Sequence, residues 1–337
     1  MSRIFIRRQY PYPTSAATPS AKTIPIVLSG QWAKFESLIK TALSELGHDV
    51  IEQQQHPSIA DDVRDASFRI YAHQTRRDVL GDLFYKQMHL PELFTIDSLG
   101  WGADHSKMQA PPDLTGIEGS LAERFVGSLR LKFLETGASK LPQPGRTSSP
   151  SFPADYIFVP LQTPRDYVQL HHAPLPVLSF VHLVASWANE ARQKIVFKLH
   201  PGLYDTSDCD NEIINAVDQY ARTSDHIVCL NINVHDLISA SRGVFTINSG
   251  VGFESLIHGK PVVTFGNSDY KWVTFRADAD CMKAARAFVF DYTDELRQEA
   301  NRFIYYYFFR HAFSIEPEHV AESYARLIDY LAGEIGR

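Results

Sequence analysis

At 337 residues the chain exceeds one ordinary domain and fits two of roughly 150 residues each. Hydrophobic residues make up 44% and charged residues 21%, which excludes a disordered chain and allows full cores. The formal charge of −6 excludes general nucleic-acid binding, which needs a basic face, but leaves room for a small anion held by a few placed cations or helix N-termini.

Residues 1–22 read as a flexible lead-in, with Pro, Ser, Thr and Ala dominating from Pro11 to Lys22. Arg3, Arg7 and Arg8 interrupt any continuous apolar core there, so no secretory signal is expected. An N-terminal α/β domain is expected over 23–140. Ile24-Pro25-Ile26-Val27-Leu28 reads as a buried strand ended by Ser29-Gly30. A helix follows, because Trp32, Phe35, Leu38, Ile39, Leu43 and Leu46 recur at three and four residues until Gly47 stops them. Ser67–Ala72 and Leu93–Ile96 are further strands. Residues 141–153 (LPQPGRTSSPSFP) have the composition of a linker.

Over 154–300, strands at Tyr156–Pro160, Ile195–Leu199, Ile227–Leu230, Val244–Ile247 and Pro261–Phe265 alternate with helices at 177–191, 211–222, 234–241 and 252–258. That alternation predicts right-handed crossovers and a parallel, doubly wound sheet. The stretch 174–188 is too short for a membrane span and contains His182. In the C-terminal helices, 301–337, the aromatic run Phe303–Phe309 is expected to pack across the two domains. Cys209, Cys229 and Cys281 are odd in number and scattered, as in a protein of a reducing compartment.

Ligands bind outside the carboxyl ends of such a sheet. Gln162, Arg165 and Asp166 follow the first strand of this half, and Lys198 ends the second, just before His200-Pro201. Asn248-Ser249-Gly250-Val251-Gly252 follows the strand 244–247 and opens a helix carrying Glu254. Free amides at that helix N-terminus, the Ser249 hydroxyl and the His200 imidazole suit a phosphate, and Glu254 suits ribose hydroxyls. Asp166 fits either a nucleophile or a helix-start residue. Asp97, before Ser98-Leu99-Gly100-Trp101-Gly102, fits either an acid/base or an Asx-turn. His171-His172 is set aside as a metal site because adjacent histidines seldom converge; neither metal nor cofactor is expected.

The blocks Lys198-Leu199-His200-Pro201, Thr246-Ile247-Asn248-Ser249-Gly250-Val251-Gly252-Phe253-Glu254 and Gly259-Lys260-Pro261-Val262-Val263-Thr264-Phe265-Gly266 resemble the bacterial capsule polysaccharide biosynthesis family. Gln162 with Asp166 is similar to its Gln/Asp motif, and Tyr71-Ala72-His73-Gln74 and Phe94–Gly102 are similar to N-terminal elements of its O-antigen-capping branch. The resemblance implies an α/β, GT-B-like fold of two facing Rossmann-like domains with parallel sheets. It also implies retaining transfer of Kdo from CMP-Kdo to a glycan or lipid-linked glycan. Asp166 is then the nucleophile and Asp97 the acid/base, where that branch has a glutamate; Arg165 or Lys198 pairs with the Kdo carboxylate. The expected location is cytoplasmic, with at most peripheral contact with the inner membrane. Other readings are a GT-B enzyme using CMP-sialic acid or a UDP-sugar, a sugar-nucleotide epimerase, and a catalytically silent subunit of glycan assembly.

Overall fold

The computed structural model describes residues 3–8, 26–54, 67–147, 152–204 and 208–336. It divides into two compact units, Met1–Pro111 with Tyr307–Arg337, and Pro112–Tyr306.

The first unit is built on a six-stranded sheet of β1 (Arg3–Arg8), β2 (Asp49–Gln54), β3 (Phe68–Ala72), β4 (Leu83–Gln87), β5 (Leu93–Asp97) and β12 (Phe313–Ser314), in the order β12-β5-β4-β3-β1-β2. The expected parallel sheet is mixed here: β5 runs antiparallel to both β4 and β12. A short turn between Gln87 and Leu93 leaves no room for the crossover that a parallel pair needs. Helix α1 (Ile26–Glu45) buries Phe35, Ile39, Ala42 and Leu43 against the sheet, and α10 (Val320–Ile335) adds Leu327 and Leu331 to the same core.

Two expectations fail in this unit. Of residues 1–22, Arg3–Arg8 form a strand between β2 and β3, with Ile4 and Ile6 in the core; Pro11–Lys22 lie outside the described residues. The expected strand at 24–28 is not formed: Ile26–Leu28 open α1, and Ile24 and Pro25 lie outside the described residues. A β-branched run reads as strand by propensity, but the place in the sheet is taken by β1, and tertiary context prevails.

The second unit begins at Pro112, so the boundary precedes the expected linker. Helix α2 (Gly119–Thr136) packs on α7 (Gly250–Ile257) and α9 (Asp294–Tyr306), with the Arg130 Nε donating to the Ile257 carbonyl at 2.9 Å. The described part of 141–153 is pinned: Arg146 pairs with Asp236, and Asn233 Nδ2 donates to the carbonyls of Gly137 and Pro144, each at 2.9 Å. Residues rich in Pro and Ser make a linker only where nothing holds their backbone.

Its sheet matches expectation. Strands β6 (Ile157–Pro160), β7 (Ile195–Lys198), β8 (Ile227–Cys229), β9 (Gly243–Thr246), β10 (Val262–Thr264) and β11 (Phe275–Arg276) are all parallel, in the order β11-β10-β9-β6-β7-β8. Counted from β6 this is 3-2-1-4-5-6, the doubly wound order. Between the strands run α3 (Tyr167–His172), α4 (Val177–Ala191), α5 (Asp208–Thr223), α6 (Val234–Ala240) and α7, with α8 (Met282–Phe290) after β11. The stripe Val177, Phe180, Val181, Val184, Ala188 on α4 is buried as its spacing predicts. The aromatic run ends α9 and continues as a π-helical turn, Tyr307–His311, where the chain passes from the second unit to the first.

Candidate functional site

In the second unit β6 and β9 lie side by side while their connections leave in opposite directions, which opens a crevice at their carboxyl ends. Gln162 and Asn248 stand there and hold each other: Gln162 Nε2 donates to Asn248 Oδ1 at 2.8 Å, and the Asn248 amide donates to Gln162 Oε1 at 3.0 Å. Asn248 Nδ2 then reaches the carbonyls of Val168 and Asn267. Both side chains were expected to contact donor. They are instead buried and occupied as a brace, and through Val168 they fix α3 and with it Asp166.

Asp166 is the N-cap residue of α3, yet its carboxylate makes no capping bond and is exposed. A carboxylate held in place by backbone and left facing solvent is available for chemistry. After β7, His200 Nδ1 accepts the Gly202 amide at 3.0 Å, so the neutral ring carries its hydrogen on Nε2 as a donor. Pro201 opens the short turn that presents this ring. A Cβ on Gly202 would come within 3.0 Å of Thr163 Cγ2, so the loops after β6 and β7 touch.

Helix α7 begins after β9 at the same edge. Ser249 caps it, accepting from the Val251 amide at 3.3 Å, and the Tyr270 hydroxyl donates to the Ser249 carbonyl. Gly252 is required by that tyrosine: a Cβ would lie 2.5 Å from its hydroxyl oxygen. Gly250 begins the helix half-buried, with the amides and dipole of the first turn behind it.

The two expected cations are engaged elsewhere. Arg165 pairs with the buried Asp210 at 2.7 Å, and Lys198, 6% exposed, donates to Asn231 Oδ1 and the Ile232 carbonyl. Glu254, expected at a ribose, is 2% exposed and accepts the Ser139 hydroxyl at 2.5 Å. Burial pushes its carboxyl up to about 7, against the pull of Ser139 and Lys140. Lys140 is half-buried and held down to about 8 by desolvation, which outweighs the fields of Asp166, Glu254 and Asp269. Ser139, Lys140, Asp269 and Tyr270 carried no motif, and no signal in the sequence joins them to the site.

Residues 142–287 match the family model described as capsule polysaccharide biosynthesis protein. Protein FixF of Sinorhizobium fredii is 31% identical over 185 residues, 52% of this chain and 42% of FixF, so the chain spans less than half of that relative's length. Among solved structures, the beta Kdo 2,7 transferase of Thermosulfurimonas dismutans KpsC is 15% identical with a TM-score of 0.50, covering 98% of this chain and 100% of that one. The beta Kdo 2,4 transferase of the same KpsC is 16% identical with a TM-score of 0.50, covering 88% and 95%. At these identities the likeness is one of fold, and it agrees with the expected GT-B-like α/β class. Asp166, His200 and the α7 N-terminus fall within the matched segment, whereas Ser139 and Lys140 precede it.

Asp97 belongs to the first unit. Its Oδ1 accepts the amides of Leu99 at 2.9 Å and Ser106 at 3.0 Å, its Oδ2 accepts the Ser106 hydroxyl, and His105 Nδ1 lies 3.4 Å away. The carboxylate, 2% exposed, thus forms the Asx-turn of the two roles open to it and clamps the 98–106 loop. Among the described residues no helix is long and apolar enough to cross a membrane.

Proposed function

We propose that the protein is a retaining glycosyltransferase that moves Kdo from CMP-Kdo to a glycan or lipid-linked glycan in bacterial surface polysaccharide assembly, acting in the cytoplasm at the inner face of the inner membrane. One observation carries the proposal: an exposed, braced carboxylate at Asp166 shares the switch-point edge with a donor-side histidine and a capped helix N-terminus.

The anomeric carbon of the donor sugar is attacked by Asp166, the bond to the phosphate oxygen breaks, and CMP leaves. His200 Nε2–H and the first-turn amides of α7 receive the phosphate charge as it develops. The acceptor oxygen then attacks the glycosyl-aspartate from the other side, its proton passing to solvent water, and the bond to Asp166 breaks to restore the carboxylate; two inversions give net retention. Gln162 and Asn248 position Asp166. Asp97 enters as a positioning residue of the 98–106 loop, because its oxygens already accept three hydrogen bonds.

A donor screen with CMP-Kdo, CMP-sialic acid and UDP-sugars, read by mass detection of released nucleotide and of the product's configuration, tests the proposal. Retention with CMP-Kdo supports it. An inverted product, or release of UDP alone, overturns it, and binding without turnover of any donor identifies a silent subunit.

A further inference from the structure

Three carboxylates surround one lysine of the second unit: Asp166 at the start of α3, Glu254 within α7, and Asp269 after β10. All three act electrostatically on Lys140. Asp166 is exposed at the switch-point edge and repels an anion, so an anionic donor needs a cation there. Arg165 is committed to Asp210, and Lys198 to the loop after β8.

Lys140 is held where it stands. Gly137 ends α2 in the left-handed conformation at φ +63°, its amide donating to the Phe133 carbonyl. Asn233 Nδ2 grips the carbonyls of Gly137 and Pro144 on either side of the lysine, His235 Nε2 meets the Ala138 carbonyl at 2.8 Å, and the Ser139 hydroxyl is bonded to Glu254. The backbone around Lys140 is therefore clamped to α6 and α7 at four points, and its long side chain extends from a fixed base.

We propose that Lys140, which precedes the family segment, is the binding residue that receives an anionic oxygen group of the donor beside Asp166. The anion is a phosphoester or a sugar carboxylate. The role rests on the donor site proposed above. With ligand present, the ammonium exchanges part of its interaction with Asp166 for the incoming anion, which both holds the anion and leaves the carboxylate the better nucleophile. The position also accounts for the lowered lysine: desolvation outweighs the fields of the surrounding carboxylates, and an incoming anion adds to them.

Isothermal titration of the full chain with cytidine, CMP and free Kdo, for the wild type, Lys140→Gln and Lys140→Arg, tests this. Lys140→Gln is expected to weaken CMP tenfold or more if the phosphate is the partner, or free Kdo if the carboxylate is, and to leave cytidine unchanged. Between pH 7 and 9.5, above the histidine range, wild-type affinity should fall as Lys140 loses its charge, whereas Lys140→Arg should hold. Circular dichroism establishes that each variant is folded, and the arginine arm stands if the glutamine variant is not. Wild-type binding that Lys140→Gln leaves intact for both anions, or an arginine variant whose pH profile follows the wild type, overturns the role of Lys140 alone. A wild type that binds neither anion overturns the donor site and the lysine's role with it.

Discussion

Asp97, the last residue of β5, and Asp166, six residues beyond β6, are the same residue type after a strand in each unit, and the fold treats them in opposite ways. Asp97 is buried, and its oxygens accept two amides and a hydroxyl. Asp166 occupies an N-cap position, makes no capping bond and faces solvent, while Gln162 and Asn248 expend their own hydrogen bonds on fixing the helix it begins. A buried carboxylate whose oxygens are taken holds structure; an exposed one on a helix fixed by others is open to solvent and, on the proposal above, to a ligand. Position at a strand end does not separate the two, but the partners do.

The sharpest way to break that comparison is Asp166→Asn. It keeps size and removes the nucleophile, so turnover should fall by several orders of magnitude with nucleotide affinity unchanged, as read by steady-state rates and titration calorimetry. Preserved turnover would reduce Asp166 to a helix-start residue. Next in size, His200→Ala and Ser249→Ala should each weaken CMP by about tenfold to a hundredfold, the worth of one charge-assisted hydrogen bond of about 1.5–3 kcal/mol.

Asp97→Ala should act on stability rather than on nucleotide binding. It strands the Leu99 and Ser106 donors, at about 1–3 kcal/mol for a buried unsatisfied group, which urea unfolding would report as a lower midpoint. If Asp97→Ala instead leaves the midpoint alone and lets a glycosyl adduct accumulate on Asp166 in intact mass spectrometry, the acid/base role belongs to Asp97 after all.

The smallest effect sharpens the same contrast with histidines. His200 is half-buried at the site, whereas His235 and His258 are buried, 3.0 Å apart through Nδ1 and Nε2, against Phe133. Desolvation holds His235 down to about 4 and His258 to about 3, against an unfolded value near 6.5. Below pH 6.5 the unfolded chain binds more protons, so stability present above 6.5 is lost as pH falls toward 4 and 3. Glu254, raised to about 7, works with the opposite sign between about pH 4.5 and 7. The histidine contribution is therefore read as the difference between the wild type and His258→Phe in urea midpoints from pH 8 to 4, with the variant showing the shallower acid loss.

The second unit was legible because buried parallel strands are short apolar runs, such as Ile157–Pro160 and Ile195–Lys198, and because Gly and Ser mark the turns at their carboxyl ends. The first unit was less so. In β1, Ile4 and Ile6 are flanked by arginines, and β4 carries Lys86 and Gln87, so neither stands out as an apolar strand, whereas the continuous apolar run Ile26-Val27-Leu28 opens a helix. At the site, residue types at strand ends placed His200, Ser249 and Asp166 on one edge. Sequence could not show that Gln162 and Asn248 spend themselves on each other across 86 positions, nor that Ser139 meets Glu254 across 115. Those are consequences of packing, with no local pattern to announce them.

The first unit is assembled from both ends of the described chain: Ile4, Trp32 and Phe35 share a core with Phe313, Leu327 and Leu331, and β12 pairs with β5. On a ribosome that order has a cost in time. The opening strands emerge early and must wait, with part of their apolar face uncovered, while the whole second unit is made and can fold. A nascent chain with residue 306 just clear of the ribosome should therefore hold a protease-resistant second unit beside a first unit that is still cleavable, and emergence of residues 307–337 should close the first.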